Sequence, residues 1–148
     1  EGAAICAYLA DVFPEVGLAP PPAERAAYYR WLFFAAGPLE QAVTNATLGV
    51  AVPEEKRGWV GYGGTLAPVL DALESAVAGR TYIAADYFTA ADVYVGSHLG
   101  WGMMFDSIPK RPAFVAYWEG LKDRPARLAA AALDDAAMAA SQAGAGAP

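Results

Sequence analysis

Apolar residues recur along this chain at three- and four-residue intervals, the spacing of one face of an α-helix. Ile5, Tyr8, Leu9 and Val12 mark a first helix, which Phe13-Pro14 ends. "FPEVGLAPPP" follows, with four prolines and a glycine in ten residues, and reads as an extended connector. Tyr28, Trp31, Leu32, Ala35, Leu39, Ala42 and Val43 trace a long second helix from about Ala23 to Leu48, with a kink expected near Phe34 because Pro38 lies inside it. A third helix is expected to begin just after Pro53, where Glu54 and Glu55 suit the positive end of a helix dipole. It continues through Trp59, Tyr62, Leu66, Val69, Leu70, Leu73 and Val77, weakened by Gly61, Gly63, Gly64 and Pro68 and stopped at Gly79.

The segment from Thr89 to Met104 is apolar nearly all round, as a helix central to a core would be. Phe114, Tyr117, Trp118 and Leu121 define a fifth helix and "RPARLAAAALDDAAMAA" a sixth, after which "SQAGAGAP" is expected to fray. No convincing strand and no fixed repeat appear, so the expected fold is an all-α helical bundle of about five to six helices. Its parts are a junction and first helix over 1–12, a Pro-rich connector over 13–22, the helical domain over 23–140 and a flexible tail over 141–148.

"FTAAD" supplies a capping signal for the central helix. The Thr89 hydroxyl can accept from the backbone N–H three residues on, while Asp92 reaches back to the N–H of Thr89, and Phe88 can staple onto Val93. Thr89 and Asp92 are therefore read as a structural cap.

Composition then removes several functions. The chain has 148 residues, of which 56% are hydrophobic and 18% charged, enough for one domain with a substantial core. A formal charge of −6 leaves no basic face for nucleic acid or an anionic membrane, and no apolar run is long enough to span a bilayer. No secretory signal is visible. One cysteine, Cys6, cannot form an internal disulfide, which fits a cytoplasmic setting; beside the apolar stripe it reads as structural rather than nucleophilic. His98 is the single histidine, so metal binding has no support and a core or cleft position is expected. The glycines of "GYGG" and "GWG" lie in helical patterns and not after a strand, so they are not phosphate loops.

The stretches "EGAAICAYLAD", "RAAYYRWLFFAAGPLEQ", "YIAADYFTAADVYVG" and "RPAFVAYWEGLKDRPA" come in an order that resembles the C-terminal half of glutathione S-transferases, bacterial type. The resemblance covers nearly the whole chain. It implies a C-terminal all-helical domain that lines a second-substrate pocket, and a thioredoxin-like domain before Glu1 that holds most of the glutathione co-substrate. It also implies that the parent is an enzyme conjugating the glutathione thiolate to small hydrophobic electrophiles, with no metal, commonly as a homodimer paired near the second and third helices.

By the same resemblance Glu1 and Gly2 receive the γ-glutamyl end of glutathione: the acid pairs with its ammonium, and backbone N–H groups at a helix start take its carboxylate. Gly2 stands where the family has a hydroxyl residue, so a side-chain bond is lost. Phe33, Gly37, Glu40 and Trp101 are expected to line the second-substrate pocket. An acid at Glu40 would oppose formation of a nearby thiolate. No catalytic residue is assigned, because the thiol-activating group belongs to the missing domain; the chain alone is expected to be inactive. The alternative is a free-standing, non-catalytic helical module for binding or scaffolding.

Overall fold

The structure, a computed structural model, describes residues 1–145, which form seven α-helices joined by short turns and no strand. They are α1 (Gly2–Val12), α2 (Ala26–Phe34), α3 (Glu40–Leu48), α4 (Leu66–Val77), α5 (Ala90–Met104), α6 (Pro112–Leu121) and α7 (Pro125–Ala145). The all-α bundle holds, and α7 carries helix into the 141–148 segment expected to fray, of which 146–148 lie outside the described residues.

The long second helix runs without a break in its helical turns from Ala26 to Leu48, and Pro38 changes its register where a kink was expected. Proline has no N–H to donate and its ring crowds the carbonyl four residues back. The chain accommodates it in a π turn over Ala35–Leu39 between α2 and α3, which seats Ala35 and Leu39 fully in the core.

The expected start of the third helix is corrected. Between Pro53 and α4 the chain forms two short 3-10 turns, Glu54–Trp59 and Gly61–Gly64, with left-handed backbone at Tyr62, Gly63 and Gly64. At Gly64 a Cβ would fall 2.6 Å from Val52, so the turn is closed to larger residues. Tyr62 tolerates φ of 55° because Phe34 meets its ring edge-on at 5.3 Å and Arg30 donates to its hydroxyl. Trp59, expected on the apolar face, is 84% exposed.

A larger correction concerns α1. Ile5, Tyr8, Leu9 and Val12 face outward, and the inward face consists of Ala3 and Ala10, with Cys6 and Ala7 half-buried. Small residues let α1 lie close to α5. Arg25 fastens the connector, donating to Pro20 O at 2.7 Å and pairing with Asp11 at 2.7 Å.

α5 is the central helix, touching α1, α2, the π turn and α6. Its side toward α6 is made of glycine: a Cβ at Gly96 would meet Leu121 at 2.9 Å, and one at Gly100 would meet Trp118 at 2.7 Å. Its N-terminus carries the capping box of Thr89 and Asp92, and these are the buried polar residues among those described. The Asp92 carboxylate does more than cap. It accepts from Thr89 N–H at 2.8 Å, the Thr89 hydroxyl at 2.9 Å, Ile83 N–H at 2.8 Å and the Tyr117 hydroxyl at 2.7 Å. Phe88 packs edge-on to Tyr82 and under the Arg124 guanidinium, while Val93, its expected staple partner, is exposed.

Removing this carboxylate strands several buried donors, each costing about 1–3 kcal/mol. Asp92→Ala is therefore expected to destabilise the fold by roughly 3 kcal/mol or more, and Tyr117→Phe by about 1 kcal/mol. Urea denaturation followed by circular dichroism measures both. A loss for Asp92→Ala no larger than that for Tyr117→Phe would show that the carboxylate is only a local cap.

Candidate functional site

Three elements meet at the start of α1. Glu1 is its N-cap, exposed and making no side-chain capping bond, so the first N–H groups of the helix have no protein acceptor from that side chain. Gly2 lies against α5: a Cβ there would fall 2.8 Å from Cε2 of Tyr94. The π turn contacts both α1 and α5, and Glu40, the first residue of α3, follows it directly.

Tyr94 and His98 form the floor. Their rings meet edge-on with centroids 4.8 Å apart. Burial, and after it the Glu40 carboxylate, raises the Tyr94 phenol above its ordinary range. Burial lowers the His98 imidazole, and the same carboxylate pulls it back in part. At neutral pH the floor is thus a neutral phenol and a neutral imidazole beside a carboxylate.

Trp101 lies on the same side of α5, one turn beyond His98, 64% exposed and stacked on Phe105 at 5.0 Å. Gly37 sits in the π turn with open space where a Cβ would project. Phe33 is 69% exposed on α2 and stacks on Tyr29 at 6.1 Å. Glu1, Gly2 and Glu40 are therefore brought together with Tyr94 and His98, Trp101 extends the same side, and Phe33 belongs to a separate aromatic pair.

Sequence reading did not single out Tyr94 and left His98 between core and cleft. Both were findable, since Tyr94, His98 and Trp101 repeat at i, i+4 and i+7. Reading α5 as apolar all round hid that stripe. Cys6 is half-buried and its thiol is pushed up by that burial, which disfavours the nucleophilic thiolate. Tyr28 buries a hydroxyl without a hydrogen-bond partner, and desolvation pushes its pKa up to about 12. Among the described residues no three His, Cys, Asp or Glu converge to hold a metal, and no helix is long and apolar enough to cross a membrane. A hollow of about 410 Å³ is walled by Arg80, Thr81, Tyr82, Ala84, Ala85 and Asp86 and shares no residue with the Tyr94 cluster.

Residues 64–125 match the family model of the glutathione S-transferase C-terminal domain. Among solved structures the chain is similar to a sphingomonad glutathione S-transferase complexed with glutathione, with 30% identity and a TM-score of 0.67 over 88% of this chain and 65% of that one. It is also similar to a glutathione transferase from Methylococcus capsulatus strain Bath, with 32% identity and a TM-score of 0.68 over 88% of this chain and 64% of that one. A beta-class glutathione S-transferase from Sphingomonas chungbukensis shares the fold, with 24% identity and a TM-score of 0.64 over 88% of this chain and 65% of that one. The chain thus spans less than two thirds of the length of these relatives. No curated protein matches it.

The floor has a pH signature. His98 is lowered in the folded state, so between that value and the ordinary 6.5 the unfolded chain binds more protons than the native one, and stability falls as pH drops through this window. Glu40→Gln removes the one group that raises it and is expected to lower it further. A histidine NMR titration checks both, and a His98 pKa at or above 6.5 in the folded chain would contradict the burial described.

Proposed function

We propose that this chain, whose residues 64–125 match the glutathione S-transferase C-terminal domain model, is the helical half of an enzyme that joins the glutathione thiolate to hydrophobic electrophiles. The observation that carries the reading is the meeting of the uncapped α1 start with the ring floor of α5. A helix N-terminus with unoccupied N–H groups suits the γ-glutamyl carboxylate, Glu1 suits the ammonium beside it, and the adjoining rings suit an apolar second substrate. Gly37, Glu40 and Trp101 would wall the pocket of that substrate.

The thiol-activating group would come from a thioredoxin-like domain preceding Glu1. Two facts support such a domain: the outward apolar stripe of α1, which exposes a row of large side chains, and relatives of which about a third lies outside the matched part. With Cys6 half-buried and its thiol raised, nothing in this chain supplies a ready thiolate. The setting would be cytoplasmic and the parent a homodimer, for which Tyr29 and Phe33 offer exposed aromatic surface.

The intact mass of the native protein from its source is the first test. A mass well above 15.4 kDa is expected, with conjugation of glutathione to 1-chloro-2,4-dinitrobenzene by that longer protein and none by this chain. A native product of this mass would replace the enzyme reading with a free-standing binding module.

The glycine at position 2 has its own consequence. Restoring a hydroxyl by Gly2→Ser drives its Cβ into the Tyr94 ring, so the single variant should gain no glutathione affinity. Combined with Tyr94→Ala the hydroxyl has room, and the affinity of the longer protein should rise about tenfold over Tyr94→Ala alone, the value of one hydrogen bond to a charged group. Calorimetric titration reads this, and equal affinities for the pair would remove Gly2 from the glutathione site.

A further inference from the structure

Tyr94, His98, Trp101 and Phe105 stand at i, i+4, i+7 and i+11, which keeps them within about 60° of one another around α5 and spreads them over about 16 Å. They form two contacting pairs, Tyr94 with His98 edge-on at 4.8 Å and Trp101 with Phe105 stacked at 5.0 Å and 23°. Trp101, Met104 and Phe105 are about two-thirds exposed, at 64%, 68% and 64%. The outer pair therefore presents aromatic faces that the bundle does not cover.

Charge decides what such faces would hold. Aromatic faces are the negative side of the ring quadrupole and attract cations, with a gain of about 0.5–2 kcal/mol. Glu40 acts on both Tyr94 and His98, and Cys6 and then Glu1 act on Tyr94; no lysine or arginine acts on either. Asp106 follows Phe105 and is only loosely paired with Lys110, at 3.8 Å. A neutral arene would gain stacking alone, whereas an anionic one would be repelled by both glutamates and by a chain of net charge −6.

We propose that this stripe selects planar aromatic cations, lying on Trp101 and Phe105 with their positive charge toward Glu40. Calling such a molecule a substrate rests on the proposed function, since it would be the second substrate of that site; binding itself does not.

The test uses three two-ring probes of similar shape and different charge, N-methylquinolinium, 2-naphthalenemethanol and 2-naphthoate, titrated onto this chain by ligand-observed NMR at low salt. N-methylquinolinium is expected to bind about fivefold or more tighter than 2-naphthalenemethanol, with 2-naphthoate weakest. Glu40→Gln should bring the first ratio toward one, while Glu119→Gln, which removes a remote charge on α6, should leave it unchanged. Phe105→Ala should weaken both of the tighter probes. Equal affinities, an equal response to the two glutamate variants, or indifference to Phe105→Ala would overturn the proposal, the last because the probes would then sit elsewhere, as on the outward face of α1. Charge selectivity that persists while the longer protein fails to conjugate glutathione would refute the proposed function and leave this inference standing.

Discussion

The carboxylate of Asp92 is 1% exposed, and a charge taken that far from water is costly unless every lone pair finds a donor. Here the donors come from three places: the start of α5, the loop that carries Ile83, and Tyr117 of α6. The positive end of the α5 dipole adds to them. Tyr117 is raised by burial and by the same carboxylate, so it remains a neutral donor across the physiological range. One side chain thereby fixes the origin and direction of the central helix, and the helices packed on α5 take their places relative to it.

Once α5 is fixed, its two sides follow from residue size. Glycines at 96 and 100 allow Leu121 and Trp118 of α6 to approach until a Cβ would collide. With α6 drawn tightly to that side, the bulky rings fall on another stripe, where α1 covers Tyr94 and leaves Trp101 and Phe105 outside. The candidate site is thus a consequence of helical register: small residues on one side make the scaffold, and large ones on the other line the candidate site.

Periodicity made α4, α5 and α6 legible, since each buries the residues its 3.6-residue pattern marks: Val69, Leu70, Leu73 and Val77 on α4, Phe114, Tyr117 and Leu121 on α6. The capping motif was legible too, because its chemistry is local. What the sequence hid was the identity of the partner on each face. The stripe Ile5, Tyr8, Leu9 and Val12 announces an apolar surface but not what covers it, and within this chain it faces out while alanines pack. Tyr62 was read as helical because its spacing fits, yet three nearby glycines and the edge of Phe34 hold it in a left-handed turn that no periodicity describes. The four hydrogen bonds to Asp92 were half-visible: those to Thr89 are local, whereas those to Ile83 and Tyr117 depend on packing.

Gly2 and Glu40 look in the sequence like two unrelated positions, one at the expected glutathione end and one in the expected second-substrate wall. Tyr94 links them. Its ring edge fills the volume that a side chain at position 2 would need, and its phenol is held up in pKa by burial and by the carboxylate of Glu40. A smaller residue at position 2 leaves room for a large ring, and an acid at position 40 acts on the hydroxyl of that ring and on the adjoining His98. The three positions form one physical unit, so a change at the α1 start and a change in the electrostatics around His98 are coupled through a single phenol.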